Sequence, residues 1–416
     1  MKGFTQMPSE NLPLIARITA NGQPLPLSPG NSVVKFVYED CEKKDDLLKV
    51  TFTDPFYKLV DSEACIENTL WVVQFGFAGK LHPARKVYVK RPKFTDKEFE
   101  VECLDKGADL KVEERWHAKG KTTVKEILGE IANRNNLKLV LDDPGLRIES
   151  FPYGGMTDFE VIKYLESKCE DHFAKVSSDQ LLFQKRKLNV PPVASFAYQP
   201  GQDSRLLGWD IKTKEQDTAK SSNQTSVVSM DPYKYKREIY KSDEGSTPTE
   251  NLGNRRTMDT LVLGFSTGIS NSQTSGGKAS SSAQGQTTGK SLPMPPNDKK
   301  ILEGTAKGKR RDALLDSCEA KFDIVADPSD PYLGSGDIIQ VVGIGKKYSG
   351  NYQIVSIKHD LSEGYKYEIE ARRNAVNSTS SKPGKGLNGP DNAKGGPQKF
   401  AQVLKSKIKN ASGGGQ

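Results

Sequence analysis

Val73-Gln74-Phe75-Gly76-Phe77-Ala78-Gly79-Lys80 reappears, little altered, as Gln340-Val341-Val342-Gly343-Ile344-Gly345-Lys346. In both stretches an apolar strand runs into a turn punctuated by glycine. Eleven residues beyond the first glycine comes a strand centre, Val87 in one case and Ile354 in the other. Phe99-Glu100-Val101-Glu102 follows 23 residues after Gly76, and Tyr367-Glu368-Ile369-Glu370 follows 24 after Gly343. Shared meander grammar is one source of such likeness. The stronger reading is two copies of one antiparallel barrel in a single chain.

Outward from these stretches, residues 31–105 carry further strand signals. Leu48, Val50 and Phe52 alternate with Lys49 and Thr51, the period-two pattern of a half-buried strand. Trp71–Phe75, Lys86–Val89 and Phe99–Cys103 read the same way. The period then changes. Thr123 and Glu126 form a capping box ahead of an apolar helix face of Val124, Ile127, Leu128, Ile131 and Ala132. A second box, Thr157 with Glu160, opens a helix that turns Val161, Ile162, Leu165 and Cys169 inward. Two strands follow, His172–Val176 and Leu181–Gln184, joined by a turn at Ser177-Ser178-Asp179. Strand-like text resumes from Ser195 to Tyr240, and a helix is expected over Arg311–Phe322, with Leu314, Leu315, Cys318 and Phe322 on one face. Ile338–Val342, Tyr352–Lys358 and Tyr365–Arg372 read as closing strands.

The chain is therefore expected to be mainly β with an α/β insertion. Residues 1–110 make a first β-barrel, 111–190 an α/β module and 191–244 strands of a second barrel. Residues 245–300 are a Ser/Gly-rich loop or linker, with Leu261-Val262-Leu263 a short anchored piece. Such a stretch buries too little apolar surface to offset its ordering entropy. Residues 301–373 supply a helix and the closing strands of the second barrel, and 374–416 a basic tail.

Composition narrows the function. Hydrophobic residues are 35% of 416, below the usual ~45–50%, a figure that also counts Gly, as polar connections dilute foldable segments. No apolar run is long enough to span a bilayer, and Met1–Gln6 lacks the apolar region of a secretory signal, so a soluble protein made in a cytoplasm is expected. Cys41, Cys65, Cys103, Cys169 and Cys318 are widely spaced and odd in number, which argues against a disulfide framework or thiolate metal site. The net charge of +8 invites a nucleic-acid reading, yet +6 of it lies after Arg373, where seven Lys face one Asp. The first 110 residues carry 15 basic and 16 acidic side chains. DNA-reading domains carry their basic excess on the folded module. This chain does not.

Catalytic motifs are missing. Gly343-Ile344-Gly345-Lys346-Lys347 fails as a phosphate loop, since Gln340 stands where the first glycine belongs and Lys347 where Ser or Thr belongs. No HExxH, GxSxG or EF-hand pattern occurs. Acidic pairs such as Asp45-Asp46 and Asp142-Asp143 read as solvated turns, and His359, at a strand end, as structural. No catalytic residue, metal site or cofactor is expected.

Four blocks, in order and spacing, resemble the baseplate hub proteins of contractile-tailed phages, the late control protein D group and the hub half of VgrG-type spike proteins. They are Tyr38-Glu39-Asp40 with Asp46–Pro55; Trp71–Lys80 with Gly76 and Gly79; the helix from Thr123 with Met156–Ile162; and a closing signature. That signature comprises Gly336, Asp337, Gly343, Ser349, Gly350, Tyr352, His359 and Tyr365. Together the blocks span residues 31–240 and 304–373. The resemblance implies a non-enzymatic homotrimer in the virion tail baseplate, assembled in the host cytoplasm. Each chain would supply two tube-like barrels, giving six that join a sixfold tail tube protein to a threefold central spike protein. DNA would pass through the lumen without specific binding, and the α/β module would meet baseplate wedge components. The chain departs from VgrG proteins in having no oligonucleotide-binding barrel or β-helical needle after Arg373. A tail-associated peptidoglycan hydrolase, a nucleic-acid-binding protein and the hub of a type VI-like injection system are the alternatives.

In the tail, Phe400, Val403, Leu404 and Ile408 fall on one face of a short helix ringed by lysines. It is either a solvated end or a docking peptide for a partner's groove, with the tape measure protein, the spike or a neighbouring subunit as partner. Four apolar residues make a weak membrane anchor, so no stable membrane insertion is expected.

Overall fold

The computed structural model describes residues 12–27, 32–96, 98–148, 151–169, 171–198, 204–213, 226–231, 236–241, 252, 315, 316, 318–345 and 347–374. The first half contributes strands β1 (Leu14–Ala20), β2 (Val33–Cys41), β3 (Leu47–Phe52), β4 (Leu70–Phe77), β5 (Arg85–Phe94) and β6 (Phe99–Leu104). The module follows with α1 (Val124–Arg134), β7 (Lys138–Leu141), α2 (Asp158–Lys168), β8 (His172–Ser177) and β9 (Gln180–Lys185). The second half contributes β10 (Ala194–Ala197), β11 (Leu206–Thr213), β12 (Cys318–Val325), β13 (Ile338–Val342), β14 (Gly350–Asp360) and β15 (Lys366–Arg373). The expected class, mainly β with a small α/β part, is observed.

The halves are built alike. Strand order is β2-β3-β6-β5-β4-β1 in the first and β11-β12-β15-β14-β13-β10 in the second. Every strand of the second half stands where the strand nine places earlier stands in the first. Both halves bulge at the same two points, Val34 and Leu207 in one ladder, Lys90 and Val355 in the other. A bulge fixes which residues oppose which, so two matched bulges set one register for the whole repeat. By that register the counterpart of Ile354 is Val89 rather than Val87. The equal eleven-residue spacing in the sequence spans hairpins of unequal depth, closed by Val73 opposite Arg85 and by Val341 opposite Gly350. One strand breaks the pattern: β1 runs antiparallel to β4, whereas β10 runs parallel to β13.

Curling brings the apolar faces together. Phe36 on β2 and Phe75 on β4 lie four ladder steps apart, yet their ring centroids are 5.3 Å apart. At about 4.8 Å per strand a flat sheet would separate them by roughly 19 Å. The second half curls likewise, with Phe322 on β12 edge-on to Tyr352 on β14 at 5.1 Å. Residues 37–41 of β2 also pair with β14, which joins the halves in one sheet, of 14 strands with the two-residue pieces Gln23–Pro24 and Lys80–Leu81, over a common core.

One expectation is corrected. From Cys318 onward the expected third helix is strand β12, and Cys318, Ala320, Phe322 and Ile324 alternate inward against Glu319, Lys321 and Asp323. The helix-like spacing of Leu315, Cys318 and Phe322 loses because β11 and β15 pair with this segment on either side. The strand β1, which precedes the anticipated region, pairs with β4 along its full length. Both capping boxes of the module form, and the helix faces named above are buried in a core of its own. Residues 245–300 apart from Leu252, Leu261–Leu263 among them, lie outside the described residues. So do 311–314 and the tail residues Phe400, Val403, Leu404 and Ile408.

Candidate functional site

The sequence signature resolves into two structural clusters. In one, Gly343 takes φ +87°, where an added Cβ would collide with the Tyr198 carbonyl. Nearby, a Cβ on Gly350 would come within 2.6 Å of the Arg373 guanidinium. That guanidinium donates to the carbonyls of Tyr348 and Ser349 at 3.1 and 3.2 Å and lies over the Tyr352 ring. Gly76, in the first half, approaches the Lys80 carbonyl in the same close manner, and Gly79 turns the hairpin at φ +82°.

The second cluster locks the halves together. His359 Nδ1 meets the Tyr365 hydroxyl at 2.9 Å, and its Nε2 donates to the Leu333 carbonyl at 3.1 Å. The same hydroxyl reaches His82 Nε2, from the first half, at 2.7 Å. Burial lowers His359 to about 3, helped by His82; burial, Lys80 and Arg85 lower His82 to about 4. Both rings are therefore neutral hydrogen-bonding struts. Gly336 donates to the Ile354 carbonyl at 2.8 Å, and the Asp337 carboxylate accepts from Gly334 N–H at 2.8 Å, with burial raising its pKa.

Sequence reasoning missed a buried ionic junction at which three regions meet. Lys175, from β8 of the module, donates to Asp40 and to Ser335 Oγ at 2.8 Å, and lies 2.9 Å from Asp46. Tyr38 donates to Asp46 at 3.0 Å and Tyr332 to Asp40 at 3.0 Å. Arg85 stacks on Tyr332 and donates to Ser177 at 3.2 Å. Burial raises Asp46, with the Asp40 charge adding to it; burial works on Asp40 too, but Lys175 outweighs it and holds Asp40 low. A cleft of about 450 Å³ opens beside this junction. A parallel tie holds Glu42 between Arg186, at 2.7 Å, and Arg372, at 2.9 Å. These arginines outweigh burial and leave Glu42 at about 2. No motif encodes either junction, because Lys175 lies 135 residues from Asp40 and Arg186 lies 144 from Glu42 in sequence. They hold parts in place, and each buried carboxylate named here is matched by a cation or a donor.

The opposite face of the sheet carries the same charges twice. Lys49 opposes Glu102 as Lys321 opposes Glu370, and Lys93 opposes Glu100 as Lys358 opposes Glu368. The Lys321–Glu370 and Lys358–Glu368 pairs close to 2.6 and 2.8 Å, and Lys49 reaches Glu100 at 3.5 Å. Exposed pairs of this kind contribute only about 0–1 kcal/mol, so stability gives little reason for the recurrence.

No family model matches the chain, and no curated protein matches it. Solved structures do. The tail protein from Neisseria meningitidis MC58 superposes with a TM-score of 0.56 at 12% identity, covering 88% of this chain and 98% of that one. The 43 kDa tail protein of prophage MuSo2 from Shewanella oneidensis gives 0.57 at 14% identity, over 88% and 100%. The fold is that of a phage tail protein. A type VI secretion component from E. coli, described as structurally similar to T4 bacteriophage tail proteins, gives 0.50 at 10% identity, over 86% and 76%. The likeness to both tail proteins extends over 88% of this chain. Among the described residues no helix is long and apolar enough to cross a membrane.

Proposed function

We propose that this chain is the structural hub of a contractile phage tail, of the late control protein D type. Three chains, each with two barrel-like halves, form a ring of six. One side of the ring meets the sixfold tail tube protein and the other the threefold central spike protein. The observation that carries this reading is the duplication: strand order, bulges and surface charges all recur within one chain. A threefold assembly of duplicated chains presents quasi-sixfold contacts without needing six copies. The charge-balanced face lines a lumen through which DNA passes without specific binding, and the module meets baseplate wedge components. The basic tail docks in the tape measure protein, the spike or a neighbouring subunit; normal tail assembly after deleting residues 397–416 would remove that role. The likeness to the E. coli component favours one second reading, the hub of a type VI-like injection system.

The deciding measurement is the mass in solution by light scattering across a concentration series. A mass near three times 45.8 kDa is expected. A monomer that persists with spike protein present would overturn the trimeric adaptor. We assign the chain no catalytic role, and a cleared zone on a cell-wall zymogram would overturn that assignment. Residues 1–373 are expected to show no salt-dependent DNA binding.

A further inference from the structure

The duplicated fold buries one seam inside the chain and, among the described residues, leaves that seam's counterpart unpaired. Within the chain, β2 of the first half pairs with the far end of β14: Tyr38 opposes His359, and Glu39 opposes Lys358. The matched bulges set Tyr38 and Glu39 equivalent to Ile211 and Lys212, and Lys358 and His359 equivalent to Lys93 and Phe94. Nothing among the described residues pairs with β11 on its outer side, nor with residues 91–94 of β5 on theirs.

The side chains follow the same correspondence. In the buried seam Phe36 packs on Phe75, and Tyr332 stacks on His359 at 5.5 Å. In the open counterpart Trp209, the equivalent of Phe36, packs on Tyr198 and is 44% exposed. Phe94, the equivalent of His359, meets Tyr57 edge-on at 5.5 Å, and the two are 46% and 55% exposed. Large aromatics left in water at two unpaired strand edges mark surfaces that are covered in use.

We infer that β11 of one copy pairs with the far end of β5 of the next, in the register that β2 and β14 use within the chain. The seam is head-to-tail, sets Lys212 opposite Lys93 and Ile211 opposite Phe94, and rests on the trimeric reading above for the number of copies that close it. It is a looser seam than the internal one. Leu361 N–H donates to the Phe36 carbonyl, so the alternation of the ladder turns the N–H of His359 and Ile357 toward β2 as well. Pro92, the counterpart of Ile357, has no N–H to give. Lys93 faces Lys212 where the internal seam sets Lys358 against Glu39, though each already opposes a carboxylate on its inner side, Glu100 and Glu319. Proline and lysine on an open edge also restrain indiscriminate strand addition before the right partner docks.

The test is disulfide trapping in the full chain, whose five native cysteines are all buried. By the same alternation Lys93 and Lys212 form a non-hydrogen-bonded pair, with Cα atoms about 4.5 Å apart and within disulfide reach. Lys93→Cys and Lys212→Cys, mixed under mild oxidation, are expected to give a covalent dimer on a non-reducing gel, while each alone stays single. The double variant is expected to give a closed species of three chains. Thr95→Cys with Asp210→Cys, the next matching pair in register, repeats the test at different side chains. No covalent dimer from either mixture, or equal trapping by a single variant alone, would overturn the seam. Light scattering on the same samples separates the two claims: a trimer without trapping sinks this seam and spares the trimeric hub, whereas a monomer without trapping sinks both.

Discussion

The two halves share strand order, bulges and surface charges, yet one pair of edges is buried and its counterpart has no partner strand among the described residues. Phe36 is 2% exposed and Trp209, at the equivalent position, is 44% exposed. The difference is one of environment. Phe36 sits where β2 meets β14 and the first half's own β4, while Trp209 sits where the sheet ends. A repeated sequence pattern can dictate the same strand twice, but it cannot say which copy will find a neighbour within the chain.

Substitutions on the two sides test that contrast. The largest effect is expected at the buried side. Phe36→Ala should cost about 3–5 kcal/mol, read as a lower urea midpoint at unchanged slope. Lys175→Met should cost a similar ~3–5 kcal/mol, because Asp40 and Asp46 would then share a buried site without their common cation. A small loss there would mean the junction relaxes to admit water.

Next come the glycines. Gly343→Ala and Gly79→Ala both place a Cβ at positive φ, a strain of about 1–2 kcal/mol. Only Gly343 adds a collision with backbone, so its loss should exceed that of Gly79, which has open space around it. Equal losses in urea titrations would show that β10 shifts freely.

A pH titration probes the lock between the halves. His82 and His359 are held at about 4 and 3, against about 6.5 when unfolded. Below pH ~6.5 the unfolded chain takes up protons that the folded chain refuses, so stability falls on acidification toward pH 4. Asp46, pushed up by burial, works with the opposite sign above its unfolded value, and so partly masks the decline. The diagnostic is therefore the difference from His82→Gln, whose stability should fall less between pH 6.5 and 4. Parallel profiles would mean His82 is not held neutral by the fold.

The smallest effect is expected at the open side. Trp209→Ala should change the urea midpoint of the dilute monomer by no more than ~0.5 kcal/mol, as exposed positions do. It should nonetheless weaken self-association in light scattering. A large stability loss without any change in association would show that Trp209 serves its own half alone.

Several elements were legible because their signals are local. The capping boxes at Thr123 and Thr157, the helix faces behind them, and the alternation of Leu48, Val50 and Phe52 depend on neighbours within a turn or a strand. The recurrence of Phe99-Glu100-Val101-Glu102 as Tyr367-Glu368-Ile369-Glu370 gave away the duplication, since both the inward aromatics and the outward glutamates repeat. Gly343 and Gly350 stand out in sequence, but what they make room for, Tyr198 and Arg373, does not.

The class of fold, its repetition and the near-neutral balance of the first half follow from the order of residues alone. Where the two halves touch depends instead on how they pack. Cys318–Phe322 became a strand because β11 and β15 were there to pair with it, against a spacing that fits a helix as well. Lys175, Asp40 and Asp46 acquired a common purpose only when the module folded back against both halves. Local patterns fix local conformation; a seam or a buried charge depends on residues more than a hundred positions away, whose approach no short stretch of sequence records.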